Sequence, residues 1–208
     1  MTTKYGFSDV REQLIDSIKN AYPTKREGLE TAKVLGENIF GSSKPHPNAV
    51  LNLFTEQKIK SALPFAAYRA ALGGFSSLTN DNPGTALPRL ALASIMFGME
   101  IMRGRFAKLA HSVVCNTSLG DCGEGTCVMN VVSFTERKTH ASDRIYDAMI
   151  KGGKGDVLSS LSLEGPVCED CVRTLEKAYQ PWRTKIWEEL PRIFGVGKSW
   201  EEIQPAQD

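Results

Sequence analysis

The chain has 208 residues, 41% of them hydrophobic and 24% charged, which is the ordinary usage of a globular protein that buries a core. Its 25 lysines and arginines nearly balance 24 aspartates and glutamates, and a net charge of +1 disfavours binding to nucleic acid or to an anionic membrane surface. The N-terminus has no apolar signal segment, and the longest apolar stretch, residues 87–97, is interrupted by polar residues and a proline, so no membrane span is expected.

The first half of the chain predicts helices separated by turns. Apolar residues recur every four positions over residues 9–22, which is typical of one face of an amphipathic helix. Residues 41–47 predict a loop, because two prolines and a glycine prevent regular backbone, and Pro47 suits the first turn of the next helix. Small residues dominate the last helix of this half, which predicts close packing. The predicted helices cover residues 9–22, 26–39, 48–55 and 61–72.

A long apolar helix is predicted to follow Pro88 and to run towards His111, after a turn-rich stretch at residues 79–84. Apolar residues occur on most sides of this helix, which predicts a central, buried element. Its predicted core positions include Leu90, Phe97, Ile101 and Leu109.

Two shorter helices are predicted over residues 126–138 and 143–150. From Cys168 onward, apolar residues alternate by three and four, which predicts a long helix that Pro181 kinks by removing a backbone donor. We expect the tail to turn back so that Trp200 packs onto this helix.

The chain contains no alternating strand pattern, so the predicted fold class is all-α. We expect a single helical domain over residues 1–208. A subdivision into N-terminal helices, residues 1–78, and a second group, residues 85–208, is the alternative.

Four of the five cysteines form two short-spaced pairs, Cys122-x4-Cys127 and Cys168-x2-Cys171, which is the ligand pattern of one tetrahedral zinc ion. Cys115 lies seven residues before Cys122 and is an alternative ligand, so one of the three cysteines on this side should be left over. Five cysteines are too few and odd in number for a secreted disulfide scaffold, which favours reduced thiols in the cytoplasm or nucleus. The predicted fold is therefore an irregular helical domain stapled by a structural zinc.

Catalytic uses of these residues have weaker support. Pro166-Val-Cys168-x-x-Cys171 approaches half of the zinc deaminase signature, but none of the three histidines begins the required H-x-E, and four thiolates leave the metal no open position for water. His111 and Cys115 share a helix face, yet no third group completes a catalytic set.

Another alternative is a small-molecule pocket between the helices. Four apolar side chains of the long helix could line it, although such residues are more often plain core. The candidate pocket residues are Phe97, Met99, Met102 and Phe106.

The C-terminal third resembles the C-terminal region of mushroom-type (basidiomycete) fungal BTB/POZ-domain proteins. There, a helical extension contains a C-x-x-C, an arginine followed by a W-x-x-L-P run, a Phe-Gly and a final Trp. This chain begins where the BTB fold would already have ended, so we expect a fragment or a stand-alone relative without it. The residues that carry the resemblance are Cys168, Cys171, Trp182, Arg183, Ile186-Trp187-Glu188-Glu189-Leu190-Pro191, Phe194-Gly195 and Trp200-Glu201.

These observations predict an intracellular, zinc-stabilised helical domain that binds another protein. The contact is expected at the aromatic C-terminal helix or at the loop over residues 41–47. Trp182, Trp187 and Trp200 could anchor an interface, although aromatic residues on an amphipathic helix are more often core. The alternative is a small enzyme of fungal specialised metabolism that acts on a small-molecule substrate.

Overall fold

The computed structural model describes residues 7–29, 45–79, 82–116 and 168–204. Within these ranges every regular element is helical, which confirms the predicted all-α class. The seven α-helices of these ranges are α1 Phe7–Asn20, α2 Pro47–Glu56, α3 Leu63–Ala71, α4 Gly74–Leu78, α5 Arg89–Asn116, α6 Glu169–Ile193 and α7 Trp200–Ile203, and single 3-10 turns cover Arg26–Gly28 and Lys60–Ala62.

Most of the predicted helices are present with boundaries shifted by a few residues. The helix predicted over residues 26–39 is described only as far as residue 29, where its start is the 3-10 turn Arg26–Gly28. Those predicted over residues 126–138 and 143–150 lie outside the described residues. The short helix α4, which the sequence does not predict, follows α3 after a single intervening turn.

The start of α2 depends on local hydrogen bonding. Pro47 occupies its first turn, as predicted, and the Nδ1 atom of the preceding His46 accepts the backbone N–H of Asn48 at 3.3 Å. Asn48 is fully buried, and its Nδ2 donates to the carbonyl oxygens of Ser77 at 3.0 Å and Thr85 at 3.1 Å. The side-chain amide of Asn48 therefore links α2 by hydrogen bonds to the end of α4 and to the turn that precedes α5.

The core is organised around α3, which packs against α2, α4, α5 and α6. Its alanines are almost entirely buried, because their small side chains let neighbouring helices approach closely. A chain of aromatic contacts crosses this core from Phe54 of α2 through Tyr22 and Phe65 to Trp187 of α6, with ring centroids 5.0, 5.8 and 5.4 Å apart. The described core thus joins residues from both parts of the proposed subdivision, which itself stays a prediction.

The long helix α5 differs from the prediction of a central, buried element. Ile95 and Met102 are buried at 1% and 3% exposure, but Leu90 is 85% exposed and Phe97 is 67% exposed. The core assignment of Leu90 and Phe97 is therefore wrong, whereas Ile101 packs partly buried against the core. The physical reason is that α3 and α6 cover one side of α5, so its apolar composition does not imply burial all round.

The contact between α5 and α6 is closest at Gly98. A Cβ atom built on this buried glycine would lie 2.5 Å from Cδ1 of Phe194 and 3.2 Å from the carbonyl oxygen of Ile193. The absence of a side chain at Gly98 therefore creates the space that the Phe194 ring fills.

Gly98→Ala should destabilise the protein by about 1–3 kcal/mol, because the new methyl group overpacks a core in which the Phe194 ring has to move. Urea denaturation gives the change in the free energy of unfolding. Gly104→Ala is the matched control on the same helix, since none of the described residues lies within 4 Å of a Cβ atom at Gly104. A Gly98→Ala protein that is as stable as the wild type, or more stable, would contradict the close packing of Gly98 against Phe194.

The two prolines of α6 have different consequences. The helix continues through Pro181, and the kink predicted there stays a prediction. Pro191 has no N–H to donate to the carbonyl of Trp187, four residues earlier, and the indole N–H of Trp200 donates to that oxygen instead at 2.7 Å. The rings of Trp187 and Trp200 also stack with centroids 5.5 Å apart, which confirms the predicted return of the tail onto the helix.

The end of α6 is a Schellman motif. The N–H of Val196 donates to the carbonyl of Pro191 at 2.8 Å, and that of Gly195 donates to the carbonyl of Arg192 at 3.3 Å. Gly195 has φ of 68°, a left-handed conformation that glycine adopts without a Cβ clash. This turn directs the chain towards α7, where Trp200 and Ile203 are buried.

Candidate metal centre and exposed apolar face

The described half of the predicted metal centre lies at the start of α6. Cys168 is the N-cap residue, with extended backbone at φ −67° and ψ 155°, and Cys171 is the third residue of the helix. In a capping box, side chains at these two positions both reach backbone N–H groups of the first turn, so they lie at the same end of the helix. The C-x-x-C spacing therefore places both cysteines at the N-terminal end of α6.

The two cysteines differ in burial and share a favourable electrostatic setting. Cys171 is 4% exposed within the core, whereas Cys168 is half-buried and packs against its edge. Cys168 is the N-cap residue, so it lies beside the first-turn N–H groups at the positive end of the helix dipole. Helix N-termini are among the sites where proteins favour the thiolate, which is the form that binds metal.

The other half of the predicted site lies outside the described residues. Cys122 and Cys127 fall there, and Cys115 lies in α5 with its side chain also outside them. Among the described residues, no group of three or more histidine, cysteine, aspartate or glutamate side chains could hold a metal ion. The four-cysteine zinc site therefore stays a prediction.

The second candidate site is the exposed apolar face of α5, defined here as Leu90, Ala93, Ser94, Phe97, Ile101 and Gly104. Each except the half-buried Ile101 is exposed. Leu90, Phe97 and Gly104 are spaced by seven residues, or about two helical turns, which places them on one side of the helix. Exposed large apolar side chains in a contiguous row are typical of interaction surfaces. The sequence indicates that this row exists, but not which side of α5 the rest of the protein covers.

Two of the three tryptophans considered above as interface anchors are buried. Trp187 and Trp200 lie in the core, and the indole N–H of Trp187 donates to the carbonyl of Thr24 at 3.2 Å. Trp182 is half-buried, with Lys185 Nζ 6.0 Å from its ring centroid. Trp187 and Trp200 are therefore occupied with internal packing, and a contact through Trp182 stays a prediction.

The candidate pocket residues do not all lie on one side of α5. Phe97 is exposed and Met102 is buried, since five residues of helix separate them by about 140° around the axis. Met99 packs partly buried against the core, and the side chain of Phe106 lies outside the described residues. The described part of this set gives the enzyme alternative no support.

Sequence reasoning missed a contact between His46 and Ser77. The Nε2 atom of His46 lies 3.3 Å from the Ser77 hydroxyl, a pair that resembles a nucleophile with its base. However, Nδ1 accepts the Asn48 N–H, so in the neutral ring the proton lies on Nε2, which donates to the hydroxyl. An imidazole in this tautomer cannot take a proton from Ser77. The pair therefore stabilises the start of α2, and no sequence signal marks it because histidine is not a preferred N-cap residue.

A buried polar pair also lies on α6, where Tyr179 is next to the 2%-exposed Arg183. Burial raises the pKa of Tyr179 to about 12, and the positive charge of Arg183 opposes this rise. Burial likewise raises the pKa of Tyr22, with Arg69 acting in the opposite direction. The sequence predicted Arg183 only as part of the family resemblance, and the structure places it in the interior.

The raised pKa of Tyr179 predicts alkaline destabilisation. Its folded pKa of about 12 exceeds the unfolded value of about 10, so the stabilisation is complete below pH 10 and is lost as the pH rises through 12. At about 1.4 kcal/mol per pKa unit, the total loss is about 3 kcal/mol.

Urea denaturation at a series of alkaline pH values measures this effect. Tyr179→Phe should flatten the pH dependence between pH 10 and 12, whereas Tyr22→Phe should flatten it less. A Tyr179→Phe protein with the pH dependence of the wild type would show that Tyr179 ionises freely in the folded state.

No family model, curated protein or solved structure matches this chain. None of the helices within the described residues is both long and apolar enough to cross a membrane.

Proposed function

We propose that this chain is a zinc-stabilised helical domain that binds another protein, with the exposed apolar face of α5 as its contact surface. The observation that carries the proposal is the 85% exposure of Leu90 together with the 67% exposure of Phe97 on one side of a continuous helix. Facing water, Leu90 and Phe97 contribute little hydrophobic free energy to folding. Burying each of these side chains against a partner would be favourable by about 1.5–3 kcal/mol.

The shape of the face suits a helix from the partner. It is a straight row on α5, with small side chains at Ala93 and Ser94 between the large ones. Glu100 lies beside the row, and it forms an exposed ion pair of 2.5 Å with Arg103, which lies further round the helix. An apolar row with charged residues beside it is the pattern that an amphipathic helix recognises.

In this proposal the zinc ion stabilises the fold of the domain. Cys168 and Cys171 would hold it together with Cys122 and Cys127, or with Cys115 in place of Cys122. Bound zinc would supply a fixed crosslink between the start of α6 and the preceding segment. Reduced metal-binding thiols support a cytoplasmic or nuclear protein.

The relationship to the helical extension of fungal BTB proteins is part of the same proposal. Arg183, Trp187, Phe194 and Trp200 are buried, and Gly195 takes the left-handed conformation at the end of α6. Much of the pattern behind the resemblance therefore consists of packing residues, which suits a shared fold. The alternative of a small enzyme rests on no pair of described residues with suitable chemistry.

A photo-crosslinking amino acid at position 97 tests the proposed contact surface. Introduced into the full chain, it should capture a defined protein in an extract of the cells that make it, and purified partner should bind wild type much more tightly than Leu90→Asp. The control position is Thr184, which is exposed on α6 away from the face. Equal, diffuse crosslinking from positions 97 and 184, with no purified candidate that binds, would refute the proposal.

A further inference from the structure

The C-x-x-C pair at the start of α6 has the spacing of a bond between its own two sulfurs. Cys168 is the N-cap residue and Cys171 is the third residue of the helix. Three steps along an α-helix separate two Cα atoms by about 5 Å, from the radius and rise of the helix. A disulfide requires about 4.4–6.8 Å between the same two atoms. The first turn of α6 therefore suits a disulfide between Cys168 and Cys171.

The two cysteines differ in their access to solvent. Cys168 is half-buried, and the intervening Glu169 and Asp170 are both exposed, so the turn lies at the surface where a small molecule can approach it. Cys171 is 4% exposed and belongs to the core. The rate of thiol–disulfide exchange depends on access to the sulfur. A dissolved disulfide should therefore react first with Cys168, and Cys171 should react mainly with its neighbour.

From this spacing and this difference in access we infer that Cys168 and Cys171 form a redox switch, in which a small-molecule disulfide of the glutathione type converts the pair to an intramolecular disulfide. Cys168 attacks the reagent, which forms a mixed disulfide and releases one thiol. Cys171 then attacks the Cys168 sulfur and releases the second thiol. Each cysteine loses one hydrogen atom, and the two hydrogen atoms are carried by the two thiols released. Excess thiol reverses both steps.

The consequence of this switch lies in the zinc site. A sulfur in a disulfide is no longer a thiolate, which is the form that binds metal. Oxidation would therefore remove two of the four proposed ligands and release the crosslink between the start of α6 and the preceding segment. The disulfide itself needs no metal, whereas this effect on the domain rests on the proposed function. A transient, redox-sensing disulfide also agrees with a protein of a reducing compartment.

Peptide mapping of the purified full chain tests the inference. The protein is equilibrated with glutathione buffers of increasing disulfide content, the remaining thiols are alkylated, and the chain is digested with trypsin. Residues 155–173 form one tryptic peptide that contains both Cys168 and Cys171, whereas the other three cysteines share the peptide of residues 109–137. We expect the first peptide to acquire an internal disulfide, and to lose it again in excess reduced glutathione. Released zinc, measured with a metal-binding dye in the same samples, should rise in step with this disulfide.

Two serine variants test the order of the two steps. Cys171→Ser retains the accessible sulfur and should accumulate the mixed disulfide with glutathione at position 168. Cys168→Ser retains the buried sulfur and should react about tenfold more slowly or less. Far-ultraviolet circular dichroism identifies a variant that does not fold. In that case the rate at which the mixed disulfide appears on each cysteine of the wild type gives the same comparison.

A peptide of residues 155–173 that stays reduced in fully oxidised glutathione overturns the inference. So does a disulfide that joins this peptide to residues 109–137, or one that forms only after the chain has unfolded. If the internal disulfide forms in a folded chain that contains no zinc, the switch stands and the zinc of the proposed function fails. If zinc is present and the pair does not oxidise, the zinc site stands and the switch fails.

Discussion

Trp200→Ala is expected to lower the free energy of unfolding by about 3–5 kcal/mol, a large part of the stability of a typical domain. Trp200 fills a buried position, stacks on Trp187 and donates its indole N–H to the Trp187 carbonyl. Pro191 cannot donate to that oxygen, so removing the indole leaves a buried acceptor without its replacement donor as well as a cavity.

Two further variants separate these contributions. Trp200→Phe keeps an aromatic ring on Trp187 but loses the donor, and should cost about 1–3 kcal/mol. Trp182→Ala is the matched control, because Trp182 is half-buried at the edge of the core rather than inside it, so we expect a smaller loss. Urea denaturation followed by far-ultraviolet circular dichroism avoids reliance on tryptophan fluorescence. Equal losses for Trp200→Ala and Trp182→Ala would contradict the central position of Trp200.

The sequence predicts the described helices well because their signals are local. Pro47 at the first turn of α2 and the alternation from Cys168 onward depend only on neighbouring residues. The return of Trp200 onto α6 was also predicted. The hydrogen bond that holds Trp200 there could not be predicted. The indole N–H of Trp200 takes the place of the N–H that Pro191 lacks, and this depends on where the tail lies in space.

Burial on α5 could not be predicted in the same way. Leu90 and Ile95 are both apolar, and nothing in the order of residues says that α3 and α6 cover the side with Ile95. The two glycines of α5 look equivalent in sequence as well, yet Gly98 is buried against Phe194, whereas no described atom lies within 4 Å of a Cβ atom at Gly104. Periodicity assigns residues to sides of a helix, and only the tertiary arrangement decides which side faces water.

The sequence predicts the candidate metal centre only from the spacing of its cysteines along the chain. The structure adds that Cys168 and Cys171 occupy the N-cap and third positions of α6, where a helix brings two side chains to one end. It also shows that Cys171 is part of the core, which neither the C-x-x-C pattern nor the family resemblance requires. Burial of one ligand next to core residues is what would couple metal binding to folding.

Removing zinc is expected to cost several kcal/mol and to unfold much of the domain. Structural zinc in small domains contributes about 10 kcal/mol or more of apparent binding free energy at neutral pH, and this energy is lost with the metal. We therefore expect one zinc per chain by elemental analysis, and a large fall in thermal stability after treatment with a strong chelator. Zinc that leaves without a loss of stability would indicate an open site rather than a structural one.

Cysteine variants distinguish a zinc ligand from an ordinary buried thiol. As plain core residues, the buried Cys171 should matter more than the half-buried Cys168 when each is replaced by alanine, and chelator should change neither result. As ligands of one ion, both should cost a similar, large amount, and the double variant should cost little more than either single one. The effect of Cys168→Ala should also disappear in chelator-treated protein. Glu169→Gln, in the same exposed first turn, is the matched control and should cost less than about 1 kcal/mol.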